Sequence, residues 1–371
     1  VKIAIITFSD FNTNYGSMLQ AFSLKNYLES IGNSVEFIRY REFNTDLNDG
    51  VPITVRMKNS IKKEALQIYA WLKKGDIEKT KYNFGQFVEK YLPHTELLTS
   101  SEEMKRKLKR YDCYICGSDQ IWNFSCLGGF RKPYFLDFAP ENALKISYAA
   151  SMGEYVIDEK YKEEVSILLD RLDYISVREK ESVDQISKLT KKEVVDVVDP
   201  VFLTSEKEWS KMIPNIDTNG EYGICYFVRR SKLGKRLIKE ALKYYKIPIY
   251  NLSDNMIYIN GTSTKYISAG PLEFVALIKN AKFAIGSSFH LAAIATIFNT
   301  PVLIAGMSSN RSRVCDLFSI VDNIDNYITE DIQIEDCIKR IADQNIVKSK
   351  LNEKIVLSKE YLDNALMTEK K

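Results

Sequence analysis

Histidine is almost missing from this chain: of 371 residues only two are His, at positions 94 and 290. A centre that needs several imidazoles is excluded, and any imidazole chemistry must fall on His94 or His290. Cysteine is sparse as well. The six thiols, Cys113, Cys116, Cys126, Cys225, Cys315 and Cys337, are scattered over a long sequence and do not form the dense framework of a disulfide-stapled domain. They read as reduced. Cys113 and Cys116 have C-x-x-C spacing, but residues three apart on a strand face opposite ways, and no second pair stands at metal-ligand spacing. That favours a core strand, and no metal site is expected. Charge of one sign is also lacking, with 52 Lys+Arg against 49 Asp+Glu and a net charge of +3. This balance argues against nucleic acid as a partner, which would call for a basic surface. No apolar run reaches the ~20 residues of a membrane span. The sequence enters a strand-like run at Lys2 to Ile6 without a signal-peptide pattern, so the expected location is the cytoplasm.

What is present is ordinary globular composition, 45% hydrophobic and 27% charged. A chain of this length normally divides into two compact domains, each able to bury its own core. Short β-branched runs alternate with longer amphipathic stretches, the signature of parallel α/β layers. Strands are expected at residues 2–7, 34–40, 111–116, 145–150, 174–177 and 194–198, and again at 222–228, 248–251, 266–267, 283–286 and 302–305. The first helix should open near Gly16, carry an apolar stripe through Leu24, Leu28 and Ile31, and stop at Gly32. Two helical stretches, 55–74 and 79–91, read as part of an insertion at about 52–110. The turn-rich segment from Asp199-Pro200 to Gly220 marks the boundary. The expected division is one α/β domain over 1–205, a second α/β domain over 206–345, and a final helix within 346–371 that packs back on the first domain.

Open α/β sheets bind ligands at the carboxyl ends of their strands, which selects four segments. Asn14-Tyr15-Gly16-Ser17 opens a helix, where Gly lets backbone N–H groups approach an anion. Gly117-Ser118-Asp119-Gln120-Ile121-Trp122-Asn123 offers a carboxylate, two amides and a ring, the equipment of a sugar site. Arg178, at the end of a strand, can grip a carboxylate or phosphate in bidentate fashion. The fourth segment, Gly286-Ser287-Ser288-Phe289-His290, places a rare imidazole on the first turn of a helix. His94, in a polar turn, reads as solvated.

Taken together these segments resemble the polysaccharide pyruvyl transferase family. Its N-Y-G-x-x-L-Q element stands as Asn14 to Gln20, and its G-S-D-Q-x-W-N element is complete from Gly117 to Asn123. Further matches are Ser147 to Gly153, Ser176 to Glu179, Asp199-Pro200, Ser288-Phe289-His290 and Arg311-Ser312-Arg313. Ser287 and Leu291 depart from the family, which commonly has Asp or Asn before Ser-Phe-His and a small residue after it. The resemblance implies two Rossmann-like domains facing a cleft, similar to GT-B glycosyltransferases, and transfer of pyruvate from phosphoenolpyruvate to a sugar as a ketal. It implies no cofactor beyond that donor, and a saccharide acceptor of a cell-surface polysaccharide or its lipid-linked precursor, reached at the inner face of the membrane. His290 and Asp119 are then the expected catalytic pair, with Arg178 and Arg313 as the anion clamp. Asn14, Tyr15, Gly16, Ser118, Gln120, Trp122, Asn123 and Ser288 are the expected substrate contacts. Two other readings fit the same architecture: a glycosyltransferase using a nucleotide sugar, and a non-catalytic sugar-binding protein.

Overall fold

The computed structural model describes residues 1–8, 13–41, 74–218, 220–229, 231–253, 264–307, 310–329, 333–341, 344 and 346–367. Two six-stranded parallel sheets form the frame. The first contains β1 (Lys2–Ile6), β2 (Ser34–Phe37), β3 (Cys113–Cys116), β4 (Leu144–Ala150), β5 (Tyr174–Val177) and β6 (Val194–Asp196), in the order β2-β1-β3-β4-β5-β6. The second contains β7 (Gly223–Tyr226), β8 (Ile249–Asn251), β9 (Thr264–Tyr266), β10 (Phe283–Gly286), β11 (Val302–Ala305) and β12 (Tyr327–Ile328), in the order β12-β11-β10-β7-β8-β9. Helices α1 (Tyr15–Ser30), α2 (Lys74–Tyr91), α3 (Ser101–Lys107), α4 (Glu159–Asp170), α5 (Lys180–Ser187) and α6 (Glu206–Met212) accompany the first sheet and its exit. The second sheet is wrapped by α7 (Lys232–Tyr245), α8 (Pro271–Lys279), α9 (Phe289–Phe298), α10 (Arg311–Ile320) and α11 (Ile334–Ile341), and α12 (Ser349–Leu366) closes the chain. Among the described residues no helix is long and apolar enough to cross a membrane.

The alternation read from the sequence is present, with local differences. The expected helix at 55–74 lies outside the described residues, apart from its last residue in α2. Strand β9 precedes its expected place by two residues, and the two-residue β12 is too short to leave a periodic trace in the sequence. His94 is half-buried, in a bridge with Phe37 that continues the edge of the first sheet. Cys113 and Cys116 point to opposite faces of β3, one into each of the two cores that this sheet separates.

Besides the core that each half buries behind its own sheet, the two halves share a larger one, for a physical reason that lies in α1. Its side chain cap is Asn14, which accepts from the Gly16 and Ser17 N–H groups, and Gly32 ends it at φ 89°, a left-handed conformation that suits glycine. Between those ends the helix is buried on nearly every side from Tyr15 to Leu24, because it lies between the two sheets. The Tyr15 ring stacks on Phe274 of α8 at 4.2 Å and meets Tyr226 of β7 edge-on, while Phe22 packs on Trp209 of α6. One apolar cluster therefore runs through both halves, and a smaller one lies behind each sheet. Ile31, expected on the buried stripe, is instead 41% exposed at the helix end.

The connection from β6 to β7 is packed. Val201, Phe202, Leu203 and Trp209 are buried along it, and Ser205 and Glu208 form a reciprocal capping box at the start of α6. Helix α12 lies on the first sheet. Tyr361 Oη donates to the Ser147 carbonyl at 3.0 Å, Ser358 Oγ accepts from the Val198 N–H at 3.0 Å, and Tyr27 Oη donates to Asp363 at 2.8 Å.

The shared core sets a stability prediction. Phe274→Ala removes the ring that α8 lays on α1 and should cost about 3–5 kcal/mol. Both halves should lose stability together, in one urea transition followed by fluorescence and circular dichroism. Two separated transitions in the wild-type protein would contradict a common core.

Candidate active site

The strand orders locate the site. In the first sheet the chain moves from β1 outward to β2 and then returns to the other side of β1 to form β3. In the second it runs from β7 through β8 to β9 and returns to the other side of β7 as β10. At such a switch point the loops leaving the two strands diverge and leave a crevice beyond their carboxyl ends. The loops in question carry Asn14 and residues 117–123 in the first half, and Arg229 and Ser287 to His290 in the second. They open into one cleft of about 770 Å³.

His290 is placed by the start of α9. Ser288 caps this helix, its Oγ accepting from the Leu291 N–H at 3.4 Å. The imidazole lies directly over Gly16. A Cβ built at that position would come within 2.0 Å of Nδ1, so the Gly of the Asn14-Tyr15-Gly16 turn is needed to admit the ring. Behind the ring, Nε2 stands 3.5 Å from Oδ2 of Asp199, and the same oxygen accepts from Arg178 Nη1 at 2.5 Å. Asp199 is fully buried at its side chain, as is Glu179, which stands 3.5 Å from Arg178 Nε. Burial alone would raise the Asp199 carboxyl, but neighbouring His290 and Arg178 overcome it and hold it well below the usual carboxylate range. Arg178 also lies 5.1 Å from the centre of the Phe289 ring.

Across the cleft, Asp119 has φ 70°, in the left-handed region where a non-glycine residue is strained. Its carboxylate accepts from Ser17 Oγ at 2.7 Å and from the Gln120 N–H at 2.9 Å. Strain at a fixed carboxylate on the edge of a cleft is a common mark of a functional position. Gln120 and Asn123 line the cleft beside it and are joined by an amide hydrogen bond of 3.0 Å. Arg313, in the first turn of α10, lines the opposite wall. Burial, with the charge of Arg178 nearby, pulls this guanidinium down from its ordinary value.

Of the residues selected from the sequence, His290, Asp119, Arg313, Asn14, Gln120, Asn123 and Ser288 come together on the cleft wall. Four do not. Trp122 is buried in the core, donating to the Tyr134 carbonyl and stacked on Phe135. Tyr15 is buried against Phe274, with its hydroxyl on the Ala269 carbonyl. Ser118 is buried and donates to the Ala149 carbonyl. Arg178, expected in the anion clamp, sits behind His290 and Phe289 and is engaged with Asp199. Gly16 contributes space for His290. Sequence reasoning did not select Asp199, Arg229, Asn310 or Glu154 as site residues. For Asp199 the signal was there, a carboxylate just past a strand, read as the start of a domain boundary. Ser287, at the departure from the family pattern, accepts from the Val228 N–H through Oγ at 3.2 Å, and its carbonyl accepts from Asn310 Nδ2 at 2.8 Å. Leu291, the second departure, is fully buried. Among the described residues no group of three or more His, Cys, Asp or Glu side chains could hold a metal ion.

The profile of the family described as polysaccharide pyruvyl transferase matches residues 14–309. No curated sequence matches the chain. Among solved structures it is similar to UDP-N-acetylglucosamine 2-epimerase from Rickettsia bellii, at TM-score 0.54 and 10% identity over 98% of this chain and 95% of that one. It is also similar to the UDP-GlcNAc 2-epimerase from Neisseria meningitidis bound to UDP-GlcNAc, at TM-score 0.53 and 11% identity over 99% and 100% of the two chains. The epimerase from Methanocaldococcus jannaschii in complex with UDP-GlcNAc and UDP gives 0.52 and 12% over 99% of each. The fold is thus the GT-B type.

Two outcomes follow from the buried charges. Gly16→Ala should displace the imidazole and lower activity while circular dichroism shows an intact fold. Asp199→Asn removes the nearer of the two carboxylates that face Arg178 and should cost about 3–5 kcal/mol at pH 7. Because the folded-state carboxyl is depressed, its contribution is complete above the unfolded value of about 3.9 and is lost as pH falls through the folded one. The stability gap between wild type and variant, measured by urea titration at pH 7 and pH 3, should therefore narrow at the lower pH.

Proposed function

Since the chain belongs to the polysaccharide pyruvyl transferase family, we propose that it transfers pyruvate from phosphoenolpyruvate to two hydroxyls of a sugar, forming a cyclic ketal and releasing inorganic phosphate. The observation that carries this reading is the pairing of His290, backed by Asp199, with Arg313 in the same cleft. The donor is a small, multiply charged anion whose reaction begins with proton delivery to a carbon, so it calls for a proton donor and cations side by side.

In this scheme His290 gives a proton to the methylene carbon of the enol, and its neighbour Asp199 steadies the ring and its charge. The first sugar hydroxyl attacks the adjacent carbon, the phosphate departs, and the second hydroxyl closes the ketal. Two hydroxyl protons are released; one replaces the proton that His290 delivered and the other leaves with phosphate. Asp119, fixed by Ser17, accepts a proton from the attacking hydroxyl, and Gln120 and Asn123 bind the acceptor. Arg313 and Arg229, both on the cleft wall, hold the carboxylate and phosphate, the part first assigned to Arg178. Arg178 serves by charge, keeping Asp199 ionised behind the imidazole. The reaction draws on no other cofactor. An acceptor carried on a lipid would place the work at the inner face of the membrane.

A nucleotide-sugar glycosyltransferase is the second reading, and the epimerase-like fold favours it. Melting temperatures separate the two. Phosphoenolpyruvate should raise the melting temperature and a uridine diphosphate sugar should not; the reverse pattern overturns the proposal. A shift with neither would point to a non-catalytic sugar-binding protein. His290→Ala should keep the fold and reduce phosphate release by about 10²–10⁴-fold, the usual contribution of a general acid or base.

A further inference from the structure

Helix α10 begins against the usual electrostatic rule. The amino end of a helix carries partial positive charge, so acidic residues belong in its first turn. Here that turn has no acidic residue and holds Arg311 and Arg313. Its N-cap residue, Asn310, gives no side-chain cap, because Oδ1 accepts from the Met307 N–H and Nδ2 donates to the Ser287 carbonyl. Negative charge comes instead from the other half of the molecule. Glu154, just after Gly153 in the loop that follows β4, reaches across and accepts from the Ser312 N–H at 2.6 Å. Glu154 is exposed, and it lines the same cleft as Arg313 and His290.

We propose that Glu154 is a specificity-determining residue: its carboxylate is an internal competitor that occupies the amino end of α10 beside Arg313 and must yield it to the anionic group of an incoming donor. This rests on the reading of the cleft as the donor site. A carboxylate and a phosphate cannot share one set of N–H donors, since two like charges at contact repel strongly in a partly dry cleft. In the free protein Glu154 neutralises the end of α10 and ties the halves across the cleft. A donor with phosphate enough to replace it gains both the helix N–H groups and Arg313. A neutral sugar offers no such exchange and leaves Glu154 in place, so the latch discriminates for anionic donors.

Titration calorimetry with inorganic phosphate, and separately with phosphoenolpyruvate, tests this on wild type, Glu154→Gln and Glu154→Ala. Removing the competing charge should tighten phosphate binding about tenfold, the equivalent of ~1.4 kcal/mol, in both variants. Melting temperatures should confirm that both are folded, and the Gln variant keeps an acceptor for the Ser312 N–H. Glu159→Gln, the same change of charge at an exposed position at the start of α4, should leave the affinity as it was. Unchanged or weaker phosphate binding in folded Glu154 variants would overturn the proposal, as would an equal gain in Glu159→Gln. If phosphate binding tightens as expected while phosphoenolpyruvate binds none of the three proteins, the latch stands and the donor assignment falls.

Discussion

Everything at the centre of this molecule depends on keeping one buried carboxylate charged. The Asp199 side chain is fully buried, and an isolated carboxylate so placed would neutralise itself. It stays ionised because Arg178 is bound to it on one side and His290 faces it on the other. A buried ion pair contributes little to stability by itself, since desolvation takes back much of what attraction gives. Its value here is positional. Arg178 and Asp199 come from the ends of the first sheet, His290 from the start of α9 on the second, and Gly16 from the helix between them. The contact works only when both halves are held in one register.

That requirement accounts for the shared core. Two domains joined by a small polar interface would be expected to move against each other. In this protein α1 is buried on almost all sides, with Tyr15 stacked on a ring from the other half. The apolar wall behind the cleft is continuous, and the open side is bridged by the Glu154 carboxylate on α10. The packed apolar contacts join the halves on one side, and the Glu154 hydrogen bond joins them at the cleft.

The architecture was legible in the sequence because parallel strands and their helices leave strong periodic traces, and because small and polar residues cluster after strands. His290 stood out through rarity and position together, and it lines the cleft. Other features could not be read this way. Residues 117–123 form one motif, yet Asp119, Gln120 and Asn123 face the cleft while Ser118 and Trp122 face inward; the backbone turn that sorts them, with Asp119 at positive φ, is invisible in residue types. Arg178 has the chemistry of an anion clamp, and only the fold shows that its anion is Asp199. Asp199 itself was hidden by Pro200, since Asp-Pro reads as a turn. Glu154 could not be found at all, because its partner is a backbone N–H 158 residues away.

The central claim is that the two switch-point crevices form one site in which an anionic enol donor meets His290. A crystal structure of the protein soaked with phosphoenolpyruvate tests it most directly. The donor should lie in the cleft, with its phosphate or carboxylate within hydrogen-bonding distance of Arg313 and its methylene carbon facing the His290 imidazole. Donor bound elsewhere, or a cleft that stays empty with phosphoenolpyruvate but fills with a nucleotide sugar, would contradict it.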